Sequence, residues 1–178
     1  MLRCFLATLL ITLSKWALNA RVFPSFDSIM PEIRDISTLF SAVALVTLAF
    51  VAYNASWIIH ERPMTAAAVG GIILGPGLTA LGVAEHSAWT VLLGSCLSAF
   101  SGSWALLMCA LAYVSLRPDL RVYCIVGGFA ASYLIAPLLP RWTHFGFAFL
   151  AVASAAAVLL IRRYTLPTFK AVAENEPP

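Results

Sequence analysis

The chain has 178 residues, of which 61% are hydrophobic and 11% charged, with a net charge of +3. Soluble domains carry roughly 25% charged residues, and a soluble fold of this length has too much surface to be covered by so few. The apolar residues come in long blocks, for which lipid is the natural solvent, and the densest basic cluster is Arg162-Arg163, which excludes a nucleic-acid face.

The predicted fold is an all-α integral membrane protein of six transmembrane helices over residues 1–163. The chain opens with Arg3, an apolar run from Cys4 to Leu13, and then Ser14-Lys15. That beginning has two readings, a signal peptide cut after Ala20 or a first span over about residues 2–22. Leu18 is a poor residue three before the cut, so the span is preferred. Residues 23–36 form the one substantial loop, with Pro24, Asp27, Pro31, Glu32, Arg34 and Asp35.

Five further spans follow at about 37–59, 65–83, 88–116, 121–139 and 144–161, each near the 20 apolar residues that crossing a bilayer requires. None carries Asp, Glu, Lys or Arg in its interior. The links between them are short enough for tight helical hairpins, and Pro63, Pro118 and Pro140 mark helix boundaries. Residues 164–178 are polar and predicted to be a disordered cytoplasmic tail. Lys and Arg counted on alternate sides divide seven to four, which places both termini in the cytoplasm and the chain in the inner membrane.

The fourth predicted span repeats small residues along one helical face: Gly94, Ser98, Ser101 and Gly102, continuing through Ala105, Cys109 and Ala112. Such a face lets backbones approach closely in lipid. The sharper reading has Ser98 and Ser101 lining a cavity, with Trp104 as a wall. The third span contains Gly71-x-x-x-Gly75, a close-contact motif, and Gly75-Pro76-Gly77, which is expected to kink or loosen the helix. Lys15 is the one charge within a span, and an intramembrane charge defaults to a functional hypothesis, although its stem also lets it snorkel outward. Asn54 is read as an interhelical hydrogen-bonding residue or a ligand contact.

No interior carboxylate is present to relay a proton, and His60, His86 and His144 fall in connections or at helix ends. Cys4, Cys96, Cys109 and Cys124 form no C-x-x-C pair and read as buried free thiols. With no catalytic constellation and no metal-ligand spacing, the expectation is no enzyme, no cofactor and no metal site.

Six spans with tight hairpins resemble one half of a major facilitator superfamily fold. Where that superfamily carries an acid-arginine loop flanked by glycines, the chain reads Trp57-Ile-Ile-His-Glu-Arg-Pro63, keeping Glu61-Arg62 without the glycines. A narrower resemblance covers residues 37–163. The run Leu93-Gly-Ser-Cys-Leu-Ser-Ala-Phe-Ser-Gly-Ser-Trp-Ala105, then Tyr113 to Arg117, then Ala136-Pro-Leu-Leu-Pro140, is similar to the membrane region of actinobacterial LuxR-type regulators. Those place a helix-turn-helix after facilitator-like helices, whereas only fifteen residues follow Arg163 here. The resemblance implies a sensory or regulatory membrane domain for a small ligand, without its DNA-binding output. The alternatives are a half-size transporter, paired with itself or with a second six-helix half, and a structural subunit of a membrane complex.

Overall fold

The computed structural model describes residues 1–26, 28–54, 60–140 and 142–174, and among them there is no strand. Six α-helices account for most of the chain: α1 (Leu2–Ala17), α2 (Ile33–Asn54), α3 (Glu61–Ala84), α4 (Ala88–Val114), α5 (Pro118–Ile135) and α6 (Thr143–Glu174). Five contain stretches long and apolar enough to cross a membrane: Ile33–Val51, Arg62–Ala84, Ala88–Val114, Pro118–Leu138 and Thr143–Arg162. α1 has 16 residues, about 24 Å at 1.5 Å per residue. Its helical path continues as a π-helical turn over Leu18–Val22 and a 3-10 turn over Phe23–Phe26.

The boundaries follow local chemistry. Pro118 sits at the first position of α5, where its missing N–H costs nothing. α3 ends in a left-handed reversal: His86 has φ 51°, its N–H donates to the Val83 carbonyl, and the Ser87 N–H donates to Gly82. Those two bonds make a Schellman motif, and Ser87 then caps α4 by accepting from the Thr90 N–H at 3.5 Å. Two residues, Glu85 and His86, thus separate the end of one helix from the cap of the next.

Two predicted segments are corrected. α2 starts at Ile33, four residues before the predicted span, with Asp35 favourably placed in its first turn. The loop before it is correspondingly short, and it is packed rather than free, since Val22, Phe26 and Ile33 are buried together. α6 runs on to Glu174 through the region predicted to be disordered. Leu166, Lys170, Ala171 and Ala173 are good helix formers, and extending a nucleated helix is far easier than starting one. The predicted end of the second span, 55–59, and the last four residues lie outside the described residues.

α3 packs most closely on α4, α1 lies between α5 and α6, and α2 rests chiefly on α4. Three apolar layers stack along the bundle. Cys4, Ala7, Met108, Ala112 and Cys124 belong to one end, and Val22, Phe26, Val91 and Phe147 to the other. Ile72, Ala105, Ala155 and Val158 lie between them. The core is rich in Ala and hydroxyl residues, while large apolar side chains face outward, among them Val46 (69% exposed) and Leu134 (77%). A soluble protein would have this the other way round; lipid as solvent accounts for it.

Candidate functional site

Hydroxyl groups in an apolar helix are costly to leave unpaired in lipid, so their partners identify which surfaces have been closed and which left open. Most are folded onto their own helix. Thr8 donates to the Cys4 carbonyl at 2.8 Å, Thr79 to Gly75 at 2.7 Å, and Ser103 to Ala99 at 2.9 Å. The hydroxyls of Ser37, Ser95, Ser98 and Ser154 make no hydrogen bond among the described residues. All four line one cavity of about 120 Å³.

Five helices supply its walls by ordinary helical spacing. α1 and the π turn contribute Ile11, Ser14, Lys15, Leu18 and Val22, one face at offsets of three, four, seven and eleven residues. α2 contributes Ser37 and Ser41, one turn apart. From α3 come Ile72, Pro76 and Thr79, from α4 a face from Ser95 to Leu106, and from α6 Phe147, Leu150 and Ser154. Phe23 and Phe26 from the 3-10 turn join Phe147 at one end. The Phe23 and Phe26 rings meet edge to face at 6.1 Å, and Phe26 lies 6.3 Å from Phe147. The result is a polar wall of hydroxyls with an aromatic cap.

Among the described residues, Lys15 is the one charged residue in the walls, and no Asp or Glu lines the cavity. Its ammonium has neither hydrogen bond nor ion pair among the described residues. The side chain is exposed and also borders a second, separate groove between α1 and α5, lined by Trp16, Phe129, Ser132 and Tyr133. Six residues after Lys15 is Arg21, whose guanidinium lies 4.9 Å over the Trp16 ring.

The predicted site residues divide between this cavity and the helix packing. Lys15 and Ser98 line the cavity, as do Pro76 and Gly102. Ser101 instead is buried against Gly71, whose missing Cβ would lie 3.1 Å from the Ser101 Cβ. Trp104 is buried, and its indole N–H donates to the Thr65 hydroxyl at 3.3 Å, away from the cavity. Asn54 is exposed and donates to its own Phe50 carbonyl at 3.0 Å. Ser101 and Trp104 thus do not line this cavity, and the Asn54 bond lies within its own helix rather than between helices.

The glycines sort in the same way. A Cβ on Gly94 would lie 2.6 Å from the Thr79 backbone nitrogen and 2.7 Å from the Gly75 carbonyl oxygen. One on Gly75 would lie 2.9 Å from the Ser98 nitrogen. Backbone meets backbone there, so only glycine fits. Beside Gly77 and Gly102 there is open space to 4 Å. α3 remains helical through Gly75-Pro76-Gly77, and Pro76 has no N–H to give the carbonyl of Ile72, another cavity residue.

Ser37, Ser95 and Ser154 were not singled out from the sequence. Ser95 is one turn from Ser98 and was within reach of the same argument. Ser37 and Ser154 carry no pattern that sets them apart within their own helices, and only the convergence of five helices distinguishes them. Among the described residues no group of three His, Cys, Asp or Glu is placed to hold a metal ion.

The chain defined by these features is all-helical, with several helices able to span a membrane and an internal cavity rich in unused hydroxyls. No family model, curated protein or solved structure matches it.

Proposed function

We propose that the chain is a six-helix, facilitator-like domain of the inner membrane with a sensory or regulatory role, both termini cytoplasmic, and no enzymatic activity. On this reading α1 and its π-helical extension form the first span. A small ligand occupies the cavity among α1, α2, α3, α4 and α6, and its presence changes how those helices pack. The observation that carries the reading is the convergence of four unbonded hydroxyls on one void, since lipid-embedded donors left without partners await a ligand or water.

The mechanism differs from a hinge within α3. Gly75 and Gly94 join α3 and α4 backbone to backbone, so the two move as one body. The adjustable contacts are those between that pair and α1, α2 and α6, which meet around the void. π turns are sites of local helix adjustment, and Leu18–Val22 places one in the cavity wall.

The test is a thermal-stability screen of the protein in lipid nanodiscs against compounds of benzene size or smaller. Gly102→Leu is the control, because it grows into open space beside the cavity. Cavity ligands are expected to raise the midpoint of the native chain and not that of Gly102→Leu. A screen in which nothing separates the two proteins overturns the reading. Accumulation of a cavity ligand in liposomes carrying the protein would move the assignment to transport.

A further inference from the structure

We propose that the cavity selects a small carboxylate, its oxygens held by the Lys15 ammonium and the free serine hydroxyls and its apolar part lying against the phenylalanine cap. The inference rests on the ligand-binding reading above and narrows it to a chemical class.

The argument begins with a count of donors and acceptors. Ser37, Ser95, Ser98 and Ser154 each keep a hydroxyl proton to give, and Lys15 keeps three. Among the described residues no carboxylate stands opposite them. The other hydroxyls in the wall have spent their protons: Ser14 on the Ile11 carbonyl at 2.8 Å, Ser41 on Ser37 at 3.0 Å, and Thr79 and Ser103 on their own helices. A cavity with surplus donors and one unbalanced positive charge matches an anion and opposes a cation.

Size and apolar surface narrow the class. A void of about 150 Å³ accommodates benzene, so 120 Å³ suits about six non-hydrogen atoms. Much of the wall is apolar, with Ile72, Leu106, Leu150 and the Phe23, Phe26 and Phe147 rings. An inorganic anion would leave that surface uncovered, whereas a carboxylate with a short hydrocarbon tail covers both parts. Pairing with Lys15 also neutralises a charge that lipid disfavours.

The groove between α1 and α5 is the competing place for Lys15. Its polar groups are largely engaged already: Thr12 donates to the Thr8 carbonyl at 2.8 Å, Ser132 to Phe129 at 2.7 Å, and Asn19 to the Lys15 carbonyl at 2.9 Å. Its aromatic wall includes Tyr133, an outward-facing residue at 74% exposure. The four unbonded serine hydroxyls are on the other side of α1.

The test compares sodium butyrate with butyramide, a neutral molecule of the same shape, and with butylammonium chloride. Each is titrated into the protein in nanodiscs, following the thermal midpoint and tryptophan fluorescence. Butyrate is expected to bind about tenfold or more tightly than butyramide, and butylammonium not at all. Lys15→Gln should abolish the preference and Lys15→Arg retain it. Ser98→Ala and Ser154→Ala should weaken butyrate several-fold while changing butyramide less. Equal binding of butyrate and butyramide, both lost in Gly102→Leu, overturns the carboxylate and leaves the cavity reading standing. Butyrate binding that survives Gly102→Leu overturns this site. Absence of butyrate binding overturns the proposal as well, while the wider compound screen decides the cavity reading separately.

Discussion

His86 holds a left-handed conformation that side chains other than glycine adopt at a cost. The Schellman bonds around it require that φ, so His86→Gly is expected to stabilise the α3–α4 hairpin by about 0.5–1 kcal/mol, read as a higher thermal midpoint. Glycine elsewhere answers a different need. Gly94→Ala should destabilise by about 1–3 kcal/mol, because its Cβ meets the backbone of Thr79 and Gly75 and the helices must part. Gly77→Ala should be neutral or stabilising by up to about 1 kcal/mol, since it has open space and alanine is the better helix former. Denaturation of the two variants side by side checks the pair, and equal losses would refute close packing as the reason for Gly94.

At the level of the helix, the small-residue seam was readable in the sequence because 3.6-residue periodicity fixes which side chains share a face. Gly71, Gly75 and Gly94 could be marked as contact positions on that basis. What each face meets is a different matter. Ser98 and Ser101 are neighbours on α4, yet one reaches the cavity and the other is pressed against Gly71. Their fates depend on where α1 and α6 approach, which no local pattern contains. Residues 23–36 misled for a related reason: Pro24, Pro31 and four charges read as a substantial loop, while Phe26 and Ile33 within it are both 1% exposed. Pro76 tests the helix-level mechanism. With α3 locked to α4 through Gly75, Pro76→Ala should restore a donor to the Ile72 carbonyl and stiffen α3 without disturbing the seam. It should leave folding intact and change cavity binding less than about threefold. A complete loss of binding would return the moving part to α3.

Across the whole molecule, the predicted orientation has a direct check. In a background with the four native cysteines replaced, Glu85→Cys should react with a membrane-impermeant maleimide from outside intact cells, and Asp119→Cys only after permeabilisation. The reverse pattern would invert the assignment. Trp89 and Trp142, exposed at 77% and 78%, flank the connections at the Glu85 end and suit a headgroup belt there.

The position of α2 has a consequence for how the cavity is reached. This helix packs on α4 and on the 3-10 turn, is tied to α4 only by the weaker branch of the Ser103 hydroxyl, shared between the Ala99 carbonyl at 2.9 Å and the Ser41 carbonyl at 3.3 Å, and leaves most of its circumference to its surroundings. It is therefore the wall with least to lose by swinging aside. In a bilayer an opening made by moving this helix would face acyl chains rather than water. An occupant entering there is drawn from the amount dissolved in the membrane, so affinity measured against bulk concentration should rise with tail length through partitioning alone, until the tail outgrows the space.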